Sequence, residues 1–107
     1  MVLLEINKKL FEDIMGIEDC GRFNISDSCI TYRYGHRCIG LDSFFFKCKD
    51  WALSLGYELR SWHKNCEIIE ISRKYYVDVP VAKGDDELQA VINAVIYLYG
   101  VVCYEKI

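Results

Sequence analysis

The sequence predicts an α+β fold in which an antiparallel sheet of three to five strands carries two or three helices on one face. Two helical patterns, over residues 42–55 and 88–99, flank a series of short strand patterns joined by short turns. Strands grouped between helices in this way are typical of an antiparallel sheet. Since the helices cover one face, we expect the other face of the sheet to be at least partly open.

The first long helix is predicted to begin at Asp42 or Ser43, because either side chain can accept a hydrogen bond from a first-turn backbone N–H. Apolar residues then recur at spacings of three and four, at Phe44, Cys48, Trp51, Ala52 and Leu55. Gly56 follows and can adopt the left-handed conformation that commonly ends a helix. The segment is therefore read as an amphipathic helix.

Three strand patterns follow this helix. Residues 57–62 alternate between the two faces of a strand, and Lys64-Asn65 offers a tight turn. Residues 66–73 are rich in isoleucine, and residues 75–81 form a third β-branched and aromatic run. Pro80 has no backbone N–H, so we expect the last strand to end there or to lie at a sheet edge.

The closing helix is predicted to be the core element of the fold. Asp85, Asp86 and Glu87 supply a cap and negative charge at its N-terminus. The residues that follow are almost all apolar, and helices of this kind are normally buried. We expect the sheet and the first long helix to cover Val91, Val95 and Ile96.

The first third of the chain is predicted to contain a helix and a hairpin. Residues 1–6 are read as a short strand or as the lead-in to a helix over Lys8–Met15, with Asn7 as its cap and Gly16 as its stop. Residues 17–28 are rich in turn formers, with a short strand at 23–25. Strands at 29–34 and 38–41 are expected to flank a turn at 35–37.

Length and composition indicate one domain covering residues 1–107, without a membrane segment. Hydrophobic residues make up 52% of the chain, which is incompatible with a disordered protein. The apolar runs are too short to span a bilayer. At the N-terminus the charges follow the apolar residues, the reverse of a signal peptide. We therefore expect a cytoplasmic protein.

The net charge of −3 favours a protein partner over nucleic acid. Residues 1–28 carry three basic and six acidic side chains, residues 29–84 nine and six, and residues 85–107 one and four. Proteins that bind the phosphates of nucleic acids usually have a clear basic excess. An acidic surface fits a basic protein partner better.

The six cysteines and two histidines allow two hypotheses about chemistry, both less favoured than structural thiols. The pairs His36-x-Cys38 and His63-x-x-Cys66 could together bind a tetrahedral zinc ion, although the spacing is unusual for a structural site. A Cys–His nucleophile is the other hypothesis, but nothing in the sequence selects a pair. We expect reduced thiols, no cofactor and no catalytic residues.

Two predicted turns combine aromatic and basic residues, the types that dominate protein interfaces. The candidate partner-binding residues at the first turn are Tyr32, Arg33, Tyr34, His36 and Arg37; those at the second are Arg60 and Trp62. The alternative interpretation places Tyr32 and Trp62 in the core. Acidic residues of the first helix and the loop after it could steer a basic partner, namely Glu12, Asp13, Glu18 and Asp19.

Residues 42–100 resemble a pattern found in small accessory proteins of bacteriophages and prophages. The matching segments are Phe46-Lys-Cys-Lys-Asp-Trp-Ala-Leu-Ser-Leu-Gly-Tyr-Glu-Leu and Asp85-Asp-Glu-Leu-Gln-Ala-Val-Ile. The resemblance implies a setting in which small acidic proteins inhibit host defence by binding a protein, as anti-CRISPR proteins do. The resemblance assigns no functional role to any residue, and it does not extend to the first 41 residues.

The sequence therefore supports two functional hypotheses. The first is a non-enzymatic protein-binding accessory protein, encoded by a phage and inhibiting a host defence complex. The alternative is a small metal-binding or Cys/His-dependent enzyme that uses His36, Cys38, His63 and Cys66. Both leave the partner's identity and the oligomeric state open, and a dimer is among the possibilities.

Overall fold

A computed structural model describes residues 6–72 and 79–105, with side chains up to Val102. The described helices are α1 (Lys8–Met15), α2 (Leu41–Ser54) and α3 (Glu87–Glu105). The strands are β1 (Asn24–Ile25), β2 (Cys29–Tyr32), β3 (Arg37–Gly40), β4 (Tyr57–Trp62), β5 (Asn65–Glu70) and β6 (Val81–Lys83). Most of the predicted strands at residues 1–6 and 75–81 lie outside the described residues.

The α+β class and the antiparallel pairing are confirmed. In the described part of the chain the strands form two sheets, with the orders β1-β2-β3 and β4-β5-β6, where the sequence had indicated one. The two sheets are separated along the chain by α2, which starts immediately after β3. A helix of that length carries the chain about 20 Å away before the next strand begins.

The first sheet and α1 are held together by an aromatic cluster centred on Phe11. Its ring centroid lies 5.2 Å from Phe23, 5.4 Å from Tyr32 and 5.7 Å from Phe44. These residues belong to α1, the following loop, β2 and α2, so one buried ring joins four segments. The predicted ends of α1 are confirmed: Asn7 Oδ1 accepts the Leu10 N–H at 2.8 Å, and Gly16 is left-handed.

The predicted start of α2 is wrong by one or two residues. Gly40 occupies the cap position without a side-chain hydrogen bond, and the helix begins at Leu41. Leu41 is buried, and we attribute the earlier start to the packing of this side chain against the core. Asp42 lies in the first turn, where its negative charge still interacts favourably with the helix dipole. Gly56 has the predicted left-handed conformation, with φ 90°.

The second sheet has one covered face and one open face, as predicted. Side chains of alternate β4 residues point toward α2 and α3, and Leu59 among them is buried. In β5 the inward residues include Cys66 and Ile68, which pair with Ser61 and Leu59 of β4. Pro80 directly precedes β6, an outer strand of this sheet, and its carbonyl accepts the Ile68 N–H at 3.0 Å.

Helix α3 is the core element that the sequence predicted. Val91 and Val95 are fully buried, and Ile96 is half-buried. Asp86 is the N-cap, because its Oδ1 accepts the Gln89 N–H at 2.7 Å. Among the described residues, no helix combines the length and the apolar character needed to cross a lipid bilayer.

Candidate functional site

The tip of the first hairpin, residues 33–36, has an unusual backbone. Arg33 and Tyr34 have φ angles of 51° and 56°, and Gly35 continues the left-handed run at 86°. For a residue with a side chain this conformation costs on the order of 1 kcal/mol. The tip is stabilised from below by the Arg33 N–H, which donates to the Cys20 carbonyl at 2.6 Å. The tip is therefore a fixed turn whose apex consists of a cation and an aromatic ring.

Tyr34 is the most exposed large hydrophobic side chain among the described residues, with 77% of its surface accessible. Its ring nevertheless lies against the backbone of Gly21, since a Cβ atom placed on Gly21 would be 3.0 Å from Tyr34 Cε2. A larger residue at position 21 would displace the ring. The contact supports Tyr34 from one side and leaves the rest of its surface available for binding.

The other candidate residues of this hairpin divide into two groups. Arg33, His36 and Arg37 are exposed around the tip. Tyr32 is half-buried and packs edge-on against Phe11, so its ring belongs to the core, as the alternative interpretation held. The exposed part of the predicted surface therefore consists of Tyr34 and three basic or titratable side chains.

The second hairpin turns at His63-Lys64, one residue earlier than predicted. Trp62 is 42% exposed and points to the open face of the sheet, which excludes the interpretation that places it in the core. Arg60 lies on the same face and forms a two-pronged ion pair with Glu58, with Nε–Oε1 and Nη2–Oε2 distances of 3.3 Å. An exposed pair of this kind contributes at most about 1 kcal/mol to stability.

The candidate residues do not all belong to one hairpin. Tyr34 and Arg37 belong to the β2–β3 hairpin of the first sheet, whereas Arg60 and Trp62 belong to the β4–β5 hairpin of the second. The two turns look similar in sequence, and the second also has one left-handed residue, His63, with φ 49°. The first turn has two adjacent left-handed residues with side chains, Arg33 and Tyr34, and its aromatic ring is more exposed, at 77% for Tyr34 against 42% for Trp62. The first hairpin tip is therefore the stronger candidate site.

The proposed zinc ligands do not converge. His36 and Cys38 are exposed in the first hairpin, and His63 is exposed at the tip of the second. Cys66 is fully buried and points from β5 toward the helices. Across residues 6–72 and 79–102, no three His, Cys, Asp or Glu side chains form a cluster that could hold a metal. The zinc hypothesis is therefore not supported by the geometry.

The buried thiols are poor candidates for a catalytic nucleophile. The five cysteines with described positions, Cys20, Cys29, Cys38, Cys48 and Cys66, are free. Burial raises the pKa of the Cys66 thiol to about 11, and it raises the pKa of Cys48 and Cys20 as well. Because the thiolate is the reactive form, these three groups remain protonated and unreactive at neutral pH.

The acidic residues of the first helix and its following loop have different environments. Asp19 accepts the Gly21 N–H at 2.9 Å and pairs with Lys8 at 3.0 Å; these two contacts lower the pKa of its carboxyl group. Glu12 is half-buried and accepts the Cys20 N–H at 2.8 Å. Asp13 and Glu18 are exposed. Of the four predicted steering charges, these last two are the most suitable.

The structure also contains a groove that no pattern in the sequence indicates. A groove of about 510 Å³ opens among Leu55, Gly56, Tyr57, Glu70, Ile71, Ser72 and Val102. Its walls come from the ends of two strands and the C-terminal parts of two helices. These segments are far apart in sequence, and no local pattern indicates that they meet.

Comparisons of the chain with protein-family models, with curated proteins and with solved structures yield no match. The functional conclusion therefore rests on the residues and their geometry.

Proposed function

We propose that this protein is a non-enzymatic binding protein whose main anchors for a protein partner lie at the tip of the first hairpin. The observation that carries the proposal is the left-handed backbone at Arg33 and Tyr34, two exposed residues with large side chains. A tight turn is formed at lower cost by glycine or asparagine. Strained residues that contribute little to the core point to a role for their side chains.

The side chains at this tip suit a protein interface. Tyrosine and arginine combine a large contact area with polar groups, and they are enriched among the residues that dominate binding energy. Tyr34 is exposed and supported by Gly21, so binding would require little ordering of its ring. The net charge of −3 favours a basic protein surface over a nucleic acid as the partner.

The proposal extends to the biological setting in which the protein acts. The resemblance of residues 42–100 to phage accessory proteins supports a phage-encoded inhibitor of a host defence complex. Such complexes contain basic channels for nucleic acid, and exposed acids such as Asp13 and Glu18 would accelerate the encounter with them.

The proposal is tested by recovering a partner from the native host and measuring binding kinetics with variants. Tyr34→Ala and Arg37→Ala should each speed dissociation, by about tenfold or more if they are principal anchors. Matched controls are Tyr97→Ala and Lys47→Ala, which remove the same kinds of side chain from exposed positions on α3 and α2. The controls should keep wild-type dissociation.

A second set of variants tests the steering charges. Asp13→Lys together with Glu18→Lys should slow association and flatten its salt dependence, with dissociation little changed. Wild-type kinetics in the anchor variants would contradict the assignment of the first hairpin. A turnover that is lost in Cys38→Ser would instead favour the enzyme hypothesis.

A further inference from the structure

Three exposed arginines from three segments of the chain lie at the tip end of the first sheet, namely Arg22, Arg33 and Arg37. Arg22 lies two residues before β1, Arg33 directly follows β2, and Arg37 is the first residue of β3. Antiparallel pairing brings the start of β1, the end of β2 and the start of β3 to the same end of a sheet. The exposed side chain of His36, in the turn itself, is a fourth group there that can carry positive charge.

The position of Arg22 follows from the pairing of β1 with β2 and was not predicted from the sequence. Asn24 pairs with Thr31, so the same register continued toward the tip places Arg22 opposite Arg33. The neighbouring backbone supports this placement, since a Cβ atom on Gly21 would be 3.3 Å from the Cα atom of Arg33. The two arginines therefore lie on adjacent segments at the same level of the sheet.

These positive charges are not neutralised within the part of the chain that the structure describes. The three guanidinium groups form no hydrogen bond or ion pair there. The nearby carboxylate of Asp19 accepts the Gly21 N–H at 2.9 Å and pairs with Lys8 at 3.0 Å. These two contacts chiefly lower the pKa of Asp19, and Arg33 contributes less. Like charges opposite each other on adjacent strands are destabilising, so a bound anion would relieve the repulsion between Arg22 and Arg33.

The basic cluster is small, and the same part of the fold also carries exposed acids. Asp27 and Asp42 lie at the opposite end of the first sheet, in the β1–β2 turn and in the first turn of α2. Asp13 and Glu18 lie on α1 and in the loop after it. A long polyanion such as a nucleic acid is bound along an extended basic path, which these acids would interrupt. The site therefore fits a short run of negative charges better.

We propose that the first hairpin tip binds an acidic segment of the protein partner, and that Arg22, Arg33 and Arg37 pair with its carboxylates. A guanidinium group can bind a carboxylate through two parallel hydrogen bonds, which lysine cannot form. Tyr34 beside the arginines supplies apolar contact area. The inference rests on the proposed function and adds the chemistry of the contact: the partner is acidic where the tip binds, within a surface that is otherwise basic.

NMR titration of the full chain with an oligoglutamate peptide at low ionic strength tests the proposal. The backbone amide signals of residues 21–22 and 33–37 should shift, and an oligolysine peptide of the same length should leave them unchanged. Arg22→Ala combined with Arg37→Ala should weaken binding of the oligoglutamate about tenfold or more, because each exposed ion pair contributes modestly. The matched control is Lys47→Ala combined with Lys64→Ala, which removes two positive charges from exposed positions on α2 and the second hairpin. The control should keep the wild-type affinity.

A thymidine oligonucleotide with the same number of charges distinguishes phosphate from carboxylate as the ligand. It should bind more weakly than the oligoglutamate, and binding at the tip that is equally tight or tighter would assign the site to nucleic acid and overturn the proposal. The absence of shifts at the tip, or an equal loss of affinity in the lysine control, would overturn it as well. If Tyr34→Ala nevertheless speeds dissociation of the partner recovered from the host, the proposed function stands and the inference of an acidic segment alone is wrong.

Discussion

Ser61 Oγ donates a 2.7 Å hydrogen bond to Glu87 Oε1, joining β4 to the first turn of α3 across 26 positions of the sequence. Both residues are half-buried. Cys66, the cross-strand partner of Ser61, is close enough to Glu87 for the carboxylate to contribute to its raised pKa. The bond thus fixes the start of the core helix against the inward face of the second sheet.

Removing this bond should destabilise the fold measurably. Ser61→Ala leaves the Glu87 carboxylate without its hydroxyl donor, and we expect the free energy of unfolding to fall by about 1 kcal/mol. Urea denaturation provides the measurement. Ser43→Ala is the control, because Ser43 is exposed and α2 has no side-chain cap; it should change stability by less than about 0.5 kcal/mol. Equal effects would show that the Ser61–Glu87 bond contributes nothing specific.

Two glycines should respond to alanine in opposite directions. A Cβ atom on Gly84 would lie 2.5 Å from the Ala90 nitrogen and 2.7 Å from the Gln89 carbonyl carbon, both backbone atoms of α3. Gly84→Ala must therefore displace the helix, and we expect a loss of about 1–3 kcal/mol. Gly100 lies inside α3, and a Cβ there meets nothing within 4 Å. Gly100→Ala should raise the melting temperature, because alanine is favoured over glycine in helices by up to about 1 kcal/mol.

The burial of Val95 predicts a cost for its truncation. Val95→Ala should lower the free energy of unfolding by about 1–3 kcal/mol, through lost burial and the cavity that remains. Tyr97→Ala, at an exposed position of the same helix, is the control and should have a much smaller effect. If Val95→Ala lowers the free energy of unfolding by only a few tenths of a kcal/mol, α3 is not the core element.

The buried thiols predict a loss of stability in alkali. Burial raises the pKa of Cys66 from 9.0 to about 11, so between these values the unfolded chain has released a proton that the native chain retains. The unfolded state then binds fewer protons, and the free energy of unfolding falls as pH rises, by up to about 1 kcal/mol per pH unit. Below pH 9 the Cys66 thiol is protonated in both the native and the unfolded chain, so the stability linked to its raised pKa is fully present.

Denaturation of the wild type and Cys66→Ala at several pH values isolates this effect, because tyrosines and lysines titrate in both proteins. The variant should show a smaller fall in stability between pH 9 and 11. Cys38→Ala, at an exposed position, should keep the wild-type slope. If the free energy of unfolding falls equally with pH in the wild type and in Cys66→Ala, the raised pKa of Cys66 is contradicted.

Local signals in the sequence located several element ends correctly. Asn7, Gly16 and Asp86 cap or stop helices as predicted, because a cap depends on one side chain and the nearest backbone groups. The start of α2 was missed because the burial of Leu41 is not a local property. The turn at His63-Lys64 was displaced by one residue for a similar reason, since register depends on which side chains face the helices.

The candidate site was predictable in its residue types but not in its arrangement. Tyr34, Arg37 and Trp62 could be predicted as binding residues from their residue types and their positions near turns. The sequence does not indicate that Tyr32 packs on Phe11, that Arg60 pairs with Glu58, or that the two hairpins lie in different sheets. Each of these facts depends on neighbours that the sequence does not place.

The sequence by itself therefore determined the fold class, the apolar character of α3 and the ends of most helices. These follow from periodicity, composition and capping, which act within a few residues along the chain. Only the tertiary structure decided that the described strands divide into two sheets, and that Cys66 is buried while Trp62 is exposed. These features depend on which distant segments exclude water from one another, and that contact exists only once the chain has folded.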